Sequence, residues 1–127
     1  MDIRIYYEDT DCGGVVYYAN YLRYFERART EYLENMGIAI PECILKGFFF
    51  VVAHQDIDYK APAFYADTLR IETKVSKISS ASLVFEYVVR NKKTEQVIAT
   101  ASTALVCVNK DIQPIKIPQE VRNALLS

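Results

Sequence analysis

The sequence predicts an α+β fold in which an antiparallel five-stranded sheet wraps around one long helix. Two observations carry this. The one sustained hydrophobic period of three to four residues runs from about Ala19 to Met36. After it the period drops to two and stays there through segments joined by short turns, the pattern of antiparallel neighbours. A lone helix with a wide apolar stripe must bury it, and one face of that sheet is the surface on offer. At 127 residues and 14.6 kDa the chain has the size of one domain, taken as residues 1–127, with no internal repeat or linker.

Each element has its own signal. From Met1 to Tyr7, Ile3, Ile5 and Tyr7 alternate with Asp2, Arg4 and Tyr6, which predicts a strand. A loop with Gly13 and Gly14 follows. In the helical segment Tyr21, Phe25, Ala28, Tyr32 and Met36, flanked by Leu22, Tyr24 and Leu33, make the apolar side, and Arg23, Glu26, Arg27, Glu31 and Glu34 the polar one. About 17 residues give a helix of roughly 25 Å, ended by Gly37 at the position where a left-handed residue closes a helix. Pro41 to Gly47 predicts one helical turn. Phe48 to Tyr59 is rich in aromatic and β-branched residues and predicts a strand interrupted at Pro62. Leu69, Ile71, Thr73 and Val75 then alternate with Arg70, Glu72 and Lys74, and Leu83, Phe85, Tyr87 and Val89 with Val84, Glu86, Val88 and Arg90. Asn91 to Thr94 turns the chain into a last strand, Val97 to Val108, and Pro118 opens a terminal helical turn.

Composition removes several classes of function. Lys and Arg number 15 against 16 Asp and Glu, so no single-signed field draws the molecule to nucleic acid or to an anionic membrane. No run approaches the ~20 apolar residues of a membrane helix, and Met1-Asp2-Ile3-Arg4 leads directly into the first strand pattern, from which a cytoplasmic protein without membrane insertion is expected. Cys12, Cys43 and Cys107 match no zinc spacing, and His54 is the one histidine. Neither a metal site nor a disulfide framework is expected, and a Ser-His-Asp hydrolase would have to be built on His54.

The stretch from Tyr7 to Tyr21 carries the chemistry. Asp9-Thr10-Asp11 precede Gly13-Gly14, and a short apolar run enters the helix directly. The glycines let backbone turn tightly and approach a ligand. The helix start offers free N–H donors and the positive end of the macrodipole, suited to an oxygen gaining negative charge. The Asp11 carboxylate facing those donors could attack a polarised carbonyl or activate water. On this ground alone turn and capping chemistry is the commoner role of such residues.

A longer pattern narrows the choice. The segment Tyr7-Glu8-Asp9-Thr10-Asp11-Cys12-Gly13-Gly14-Val15-Val16-Tyr17-Tyr18-Ala19-Asn20-Tyr21, followed by Glu26, Ala28 and Arg29 and later by Asp58-Tyr59-Lys60-Ala61-Pro62-Ala63, resembles the YbgC-like acyl-CoA thioesterases, a branch of the 4-hydroxybenzoyl-CoA thioesterase family with the hot-dog fold. The resemblance implies a thioester hydrolase that needs no cofactor and cleaves short or medium-chain or small aromatic acyl-CoA. The second motif aspartate is Asp11, implied as nucleophile or general base, and the helix-start N–H at Tyr18 is implied as the donor that polarises the carbonyl. Histidine is frequent at the Tyr18 position in the YbgC-like branch and tyrosine in the benzoyl-type branch; donation from the backbone is indifferent to that exchange.

Further residues follow as candidates for binding substrate: Gly14, Val15, Val16 and Tyr17 in the loop, Tyr7 in the aromatic cluster, Tyr59 and Lys60 in the second motif, and Ser80, Ser82 and Arg90 for the nucleotide phosphates. Coenzyme A is an anion, so cations must gather locally, and Lys74, Lys77, Lys92 and Lys93 are additional possibilities. The basic cluster of benzoyl-type members is absent at Ser79-Ser80-Ala81. Tyr7, Tyr17, Tyr18, Tyr21 and Tyr24 suit an acyl-pocket wall or plain core packing. Cys12 is read as a small loop filler, Asp9 as a brace for the loop, Glu26 and Arg29 as an ion pair at three-residue spacing, and His54, expected to share a strand face with Val52 and Asp56, as a structural or surface residue. A catalytically idle acyl-CoA or acyl-carrier-protein binding module is the rival reading. A homodimer or homotetramer is expected, because one helix covers only part of a sheet and a free edge invites pairing.

Overall fold

The computed structural model describes residues 1–126. Strands β1 (Asp2–Arg4), β2 (Phe48–Tyr59), β3 (Thr68–Ile78), β4 (Ser82–Asn91) and β5 (Val97–Asn109) form one antiparallel sheet in the order β1-β3-β4-β5-β2. Helix α1 (Asn20–Asn35) lies between β1 and β2 in the chain, α2 (Ile40–Leu45) follows it, and α3 (Gln119–Leu126) closes the described chain. This is the expected α+β architecture, with each predicted element present.

The core is the layer between α1 and one face of the sheet. Leu69 and Ile71 of β3, Leu83, Phe85, Tyr87 and Val89 of β4 and Ala99, Ala101, Thr103 and Leu105 of β5 point toward the helix and are buried. The small β5 residues leave room for the aromatic rings of α1 and β4. Phe25 is fully buried and stacks on Tyr87 with ring centroids 4.5 Å apart, while Tyr32 meets Phe85 edge-on at 5.7 Å. Helix α1 buries Tyr21, Tyr24, Phe25, Ala28 and Leu33, but Leu22 and Met36, expected on the apolar side, are exposed. The stripe is therefore narrower than the composition of the segment suggests. Gly37 ends the helix at φ +83°, where a β-carbon would be strained.

The first strand is shorter than the alternation of Met1 to Tyr7 predicts. Ile5 N–H still donates to the Asp67 carbonyl at 2.8 Å, but the next N–H on the free side, that of Tyr6, donates to Asp9 Oδ2 at 2.8 Å. That side-chain acceptor draws residues 7–9 into a 3₁₀ turn and ends the ladder.

Three register shifts reassign side chains between faces, one of them at Val89/Arg90, where the β5 partner steps from Ala99 to Val97 past Ile98. Between Val52 and His54 the pairing with β5 slips by one residue, so Val52 opposes Leu105 on the helix side while His54 opposes Ala104 and Asp56 opposes Ser102 on the outer side. His54 therefore does not share a face with Val52, contrary to the alternation; it lies by Asp56 on the outer face, Nε2 to Oδ2 3.5 Å. The shift between Val75 and Lys77 likewise puts Lys77 opposite Val84, on the same outer face as Lys74 opposite Glu86. Glu26 and Arg29 form no ion pair; Glu26 Oε1 instead accepts from the Thr30 hydroxyl at 3.3 Å. Among the described residues no helix is long and apolar enough to cross a membrane.

Candidate active site

The loop between β1 and α1 is built from its own backbone. Asp11 N–H donates to the Val15 carbonyl at 2.9 Å and Gly14 N–H to the Asp11 carbonyl at 3.0 Å, closing a tight turn. Gly14 takes φ +84° in it. Gly13 N–H donates to Asp11 Oδ1 at 2.8 Å, an Asx turn that fixes the carboxylate, and a β-carbon on Gly13 would approach that oxygen to 3.2 Å. The other oxygen, Oδ2, has no hydrogen-bond partner among the described residues, and Asp11 is exposed. A fixed, solvent-facing carboxylate with a free lone pair can attack an acyl carbon or take a proton from water.

Asp9 performs the bracing. Its Oδ2 accepts from Tyr6 N–H, and its carbonyl accepts both Tyr17 N–H at 2.9 Å and the side-chain amide of Asn20 at 2.9 Å. Those bonds tie the end of the 3₁₀ turn to the start of α1. Asn20 is a site residue that the sequence reading left without a role; a polar side chain in the first helical turn was the available signal. Val16 N–H donates to the Ala63 carbonyl at 2.9 Å, and Val15 bridges to Phe64, so the segment after Pro62 forms the loop's other wall.

At the helix entrance the first turns are tight. Asn20 N–H donates to the Tyr17 carbonyl at 2.9 Å and Leu22 N–H to the Ala19 carbonyl at 3.2 Å. The N–H groups of Ala19, the N-cap, and of Tyr18 before it have no acceptor among the described residues, whereas those of Asn20, Tyr21 and Leu22 in the first turn are paired. Beside them opens a groove of about 340 Å³ lined by Val15, Val16, Tyr18, Tyr21, Tyr59, Lys60, Ala61 and Pro62. Tyr59 meets Tyr21 edge-on at 5.5 Å, and its hydroxyl donates to the Tyr18 carbonyl at 3.1 Å. Burial pushes the Tyr21 phenol up to about 12, and burial followed by the Tyr18 phenol raises that of Tyr59, so both stay protonated at neutral pH.

The tyrosines divide. Tyr21 and Tyr24 are buried and pack edge-on at 5.7 Å. Tyr24 keeps its hydroxyl buried without a hydrogen-bond partner, and burial together with the Asp9 carboxylate raises its pKa. Tyr7, Tyr17 and Tyr18 are exposed, Tyr18 to 62%. Tyr17 lies against Tyr18 with centroids 4.7 Å apart, and the Tyr18 hydroxyl, more than the Asp11 carboxylate, raises its pKa. Tyr7 pairs instead with Tyr65 at 6.1 Å. Cys12 is exposed and so fills no space in the loop.

Of the sequence-derived candidates, Val15, Val16, Tyr18, Tyr59 and Lys60 line this groove, while Asp11, Gly14 and Tyr17 belong to the adjoining loop and do not line it. Ser80 and Ser82 lie at the opposite end of the sheet, by the β3–β4 turn, where the Ser79 and Ser80 carbonyls accept from Arg122 Nη2 at 2.8 and 3.0 Å. Arg90 is on the outer face, its Nε 2.8 Å from Glu72 Oε1. Within one chain these three are not brought to Asp11. Among the described residues no group of three His, Cys, Asp or Glu side chains could hold a metal ion.

A five-stranded antiparallel sheet packed on one long helix is the hot-dog architecture. Residues 6–125 match the family model of the thioesterase-like superfamily. The chain is 40% identical to the acyl-CoA thioesterase YbgC of Haemophilus influenzae over 124 residues, 96% of this chain and 90% of that protein, and 36% identical to the acyl-CoA thioester hydrolase YbgC of Escherichia coli O6:H1 over 94% and 89%. Among solved structures, a 1,4-dihydroxy-2-naphthoyl-CoA thioesterase from Synechocystis superposes with a TM-score of 0.92 at 25% identity, covering 100% of this chain and 94% of its own. The chain belongs to the thioesterase-like superfamily and is a YbgC-like thioesterase.

Proposed function

We propose that the protein hydrolyses acyl-CoA thioesters to free acid and coenzyme A at the Asp11 loop, with the Tyr18 N–H polarising the thioester carbonyl. The observation that carries this is that one short loop holds both an anchored carboxylate with one oxygen free and an unpaired N–H before α1. Asp11 acts either as the nucleophile, forming a mixed anhydride that water then opens, or as the base that takes a proton from the attacking water. In both courses the carbon–sulfur bond breaks and the sulfur leaves as a thiolate that gains a proton; the acid takes its new oxygen from water, or, where water opens the anhydride at the aspartyl carbon, from the Asp11 carboxylate, which the water oxygen then restores. Donation from the helix start grows stronger as the carbonyl oxygen becomes an anion, which is how such a donor lowers the barrier.

The groove suits a short or medium aliphatic chain or one small aromatic ring, since valine and proline line it together with three tyrosine faces. Lys60 supplies a cation at its rim. A panel of acetyl-, hexanoyl-, decanoyl- and benzoyl-CoA with a thiol-detecting reagent tests the reading. Turnover of at least one member without added metal is the expected result. No thiol release from any, or activity lost on chelation and restored by a divalent ion, would contradict it.

The working unit in this proposal is a homodimer or a dimer-based tetramer. Strand β2 runs for 12 residues at the sheet edge with one side unpaired, and β1 blunts the other edge with only three. Joining two β2 edges about a two-fold axis removes that liability and sets the exposed tyrosines of one chain against the other. Sedimentation at micromolar concentration is expected to show no monomer; an active monomer would overturn the arrangement.

A further inference from the structure

We infer that Tyr59 is a positioning residue for hydrolysis: its hydroxyl holds the carbonyl of Tyr18 and thereby aims the N–H that polarises the thioester. The inference rests on the proposed role of that N–H and assigns Tyr59 a task distinct from lining the groove.

The backbone at Tyr18 is anchored on both sides. The peptide plane that carries the Tyr18 N–H also carries the Tyr17 carbonyl, which accepts Asn20 N–H at 2.9 Å. The next plane carries the Tyr18 carbonyl, which accepts the Tyr59 hydroxyl at 3.1 Å and, more weakly, Tyr21 N–H at 3.4 Å. Each plane is rigid: the Asn20 bond sets the plane that carries the Tyr18 N–H, and the Tyr59 bond holds the next plane, so that the chain cannot swivel about the Tyr18 α-carbon and turn the first plane with it. The Tyr21 contact is too long to hold the second plane well, which leaves that work to Tyr59.

Tyr59 is itself held. Its ring stands edge-on to Tyr21 at 5.5 Å, and Tyr21 is buried against Tyr24 at 5.7 Å. The hydroxyl therefore reaches Tyr18 from a ring fixed by the core, across a sequence distance of 41 residues. Strand β2 ends at Tyr59, so its hydroxyl is the sheet's last grip on the helix entrance. A donor misaligned by a fraction of an ångström loses more against a developing oxyanion than against a ground-state carbonyl. Loss of the hydroxyl must then fall on kcat rather than on binding.

The test is Tyr59→Phe, which keeps the ring and its contact with Tyr21. Expected are a kcat about fivefold to tenfold lower, the effect of one hydrogen bond, and a KM within about twofold of wild type. The ¹H–¹⁵N resonances of Tyr18 and Ala19 are expected to move in the substrate-free variant while those of the β4 core stay in place. A raised KM at unchanged kcat would make Tyr59 a substrate contact and overturn the inference, as would unchanged kcat with unmoved amide resonances. Asp11→Asn in parallel separates the two claims: full turnover there removes the proposed site itself, whereas loss there with a silent Tyr59→Phe removes only the role of Tyr59.

Discussion

Asp11→Asn lowers thioester turnover at least ~100-fold, the lower range of what a positioned acid–base group supplies, and leaves the fold intact. The amide oxygen of asparagine can still accept Gly13 N–H, which the carboxylate does at 2.8 Å, so the turn persists. What disappears is the negative charge on the exposed atom that would attack carbon or bind the proton of water. The check is kcat on the best acyl-CoA substrate together with a thermal melt of the same preparation. Three contrasting variants sharpen it. Tyr18→Phe leaves the backbone donor in place, Cys12→Ala removes an exposed thiol, and His54→Ala alters a side chain on the outer face of the sheet, 3.5 Å from Asp56. Each is expected to retain turnover within a small factor. Near-normal turnover in Asp11→Asn, or abolished turnover in a folded Cys12→Ala or His54→Ala protein, contradicts the assignment.

The largest effect on stability is expected from Phe25→Ala, at about 3–5 kcal/mol. Phe25 is fully buried at the middle of α1 and stacks on Tyr87 at 4.5 Å, with Phe85 a further 6.5 Å along the same row of rings. Truncation removes the transfer energy of the ring and leaves a cavity between helix and sheet, where the buried partners already pack against one another. A loss of that size is a large part of the stability of an ordinary domain. Urea unfolding at one fixed protein concentration should give a lower midpoint at an unchanged slope. A shift of less than ~1 kcal/mol would mean that α1 is not held by this stack. Because α1 carries the Tyr18 entrance, the packing at Phe25 and the chemistry at Asp11 belong to one mechanical unit.

Much of this was legible in the sequence, and the remainder was hidden for identifiable reasons. The change of period after Met36 marks helix and strands, because the buried side of each element repeats with its own geometry. The three register shifts had no such mark. A bulge is an inserted backbone residue, and nothing in the side chains around His54 or Lys77 distinguishes it from alternation. The end of β1 was obscured because Tyr7 continues the alternation while the Asp9 carboxylate captures Tyr6 N–H. The Asp11 turn was legible because Gly13, Gly14 and the carboxylate are local to one another. Ser80 and Ser82 are separated from that turn by the end of the sheet they reach, and Arg90 by the outer face it occupies; both are long-range properties. The bond from Tyr59 to Tyr18 is of the same kind, and only the folded chain brings the two together.

The Asp11 loop is expected to break a thioester rather than merely to bind one. The most direct measurement is a single-turnover reaction in ¹⁸O-labelled water, with protein in excess over benzoyl-CoA or the best-bound acyl-CoA, quenched and analysed for thiol and acid by mass spectrometry. Free coenzyme A and free acid are expected in equal amounts, with the water oxygen in the acid when water attacks the acyl carbon and in the Asp11 carboxylate when water opens a mixed anhydride at the aspartyl carbon. Acyl-CoA that binds at these concentrations and is recovered intact would contradict this expectation.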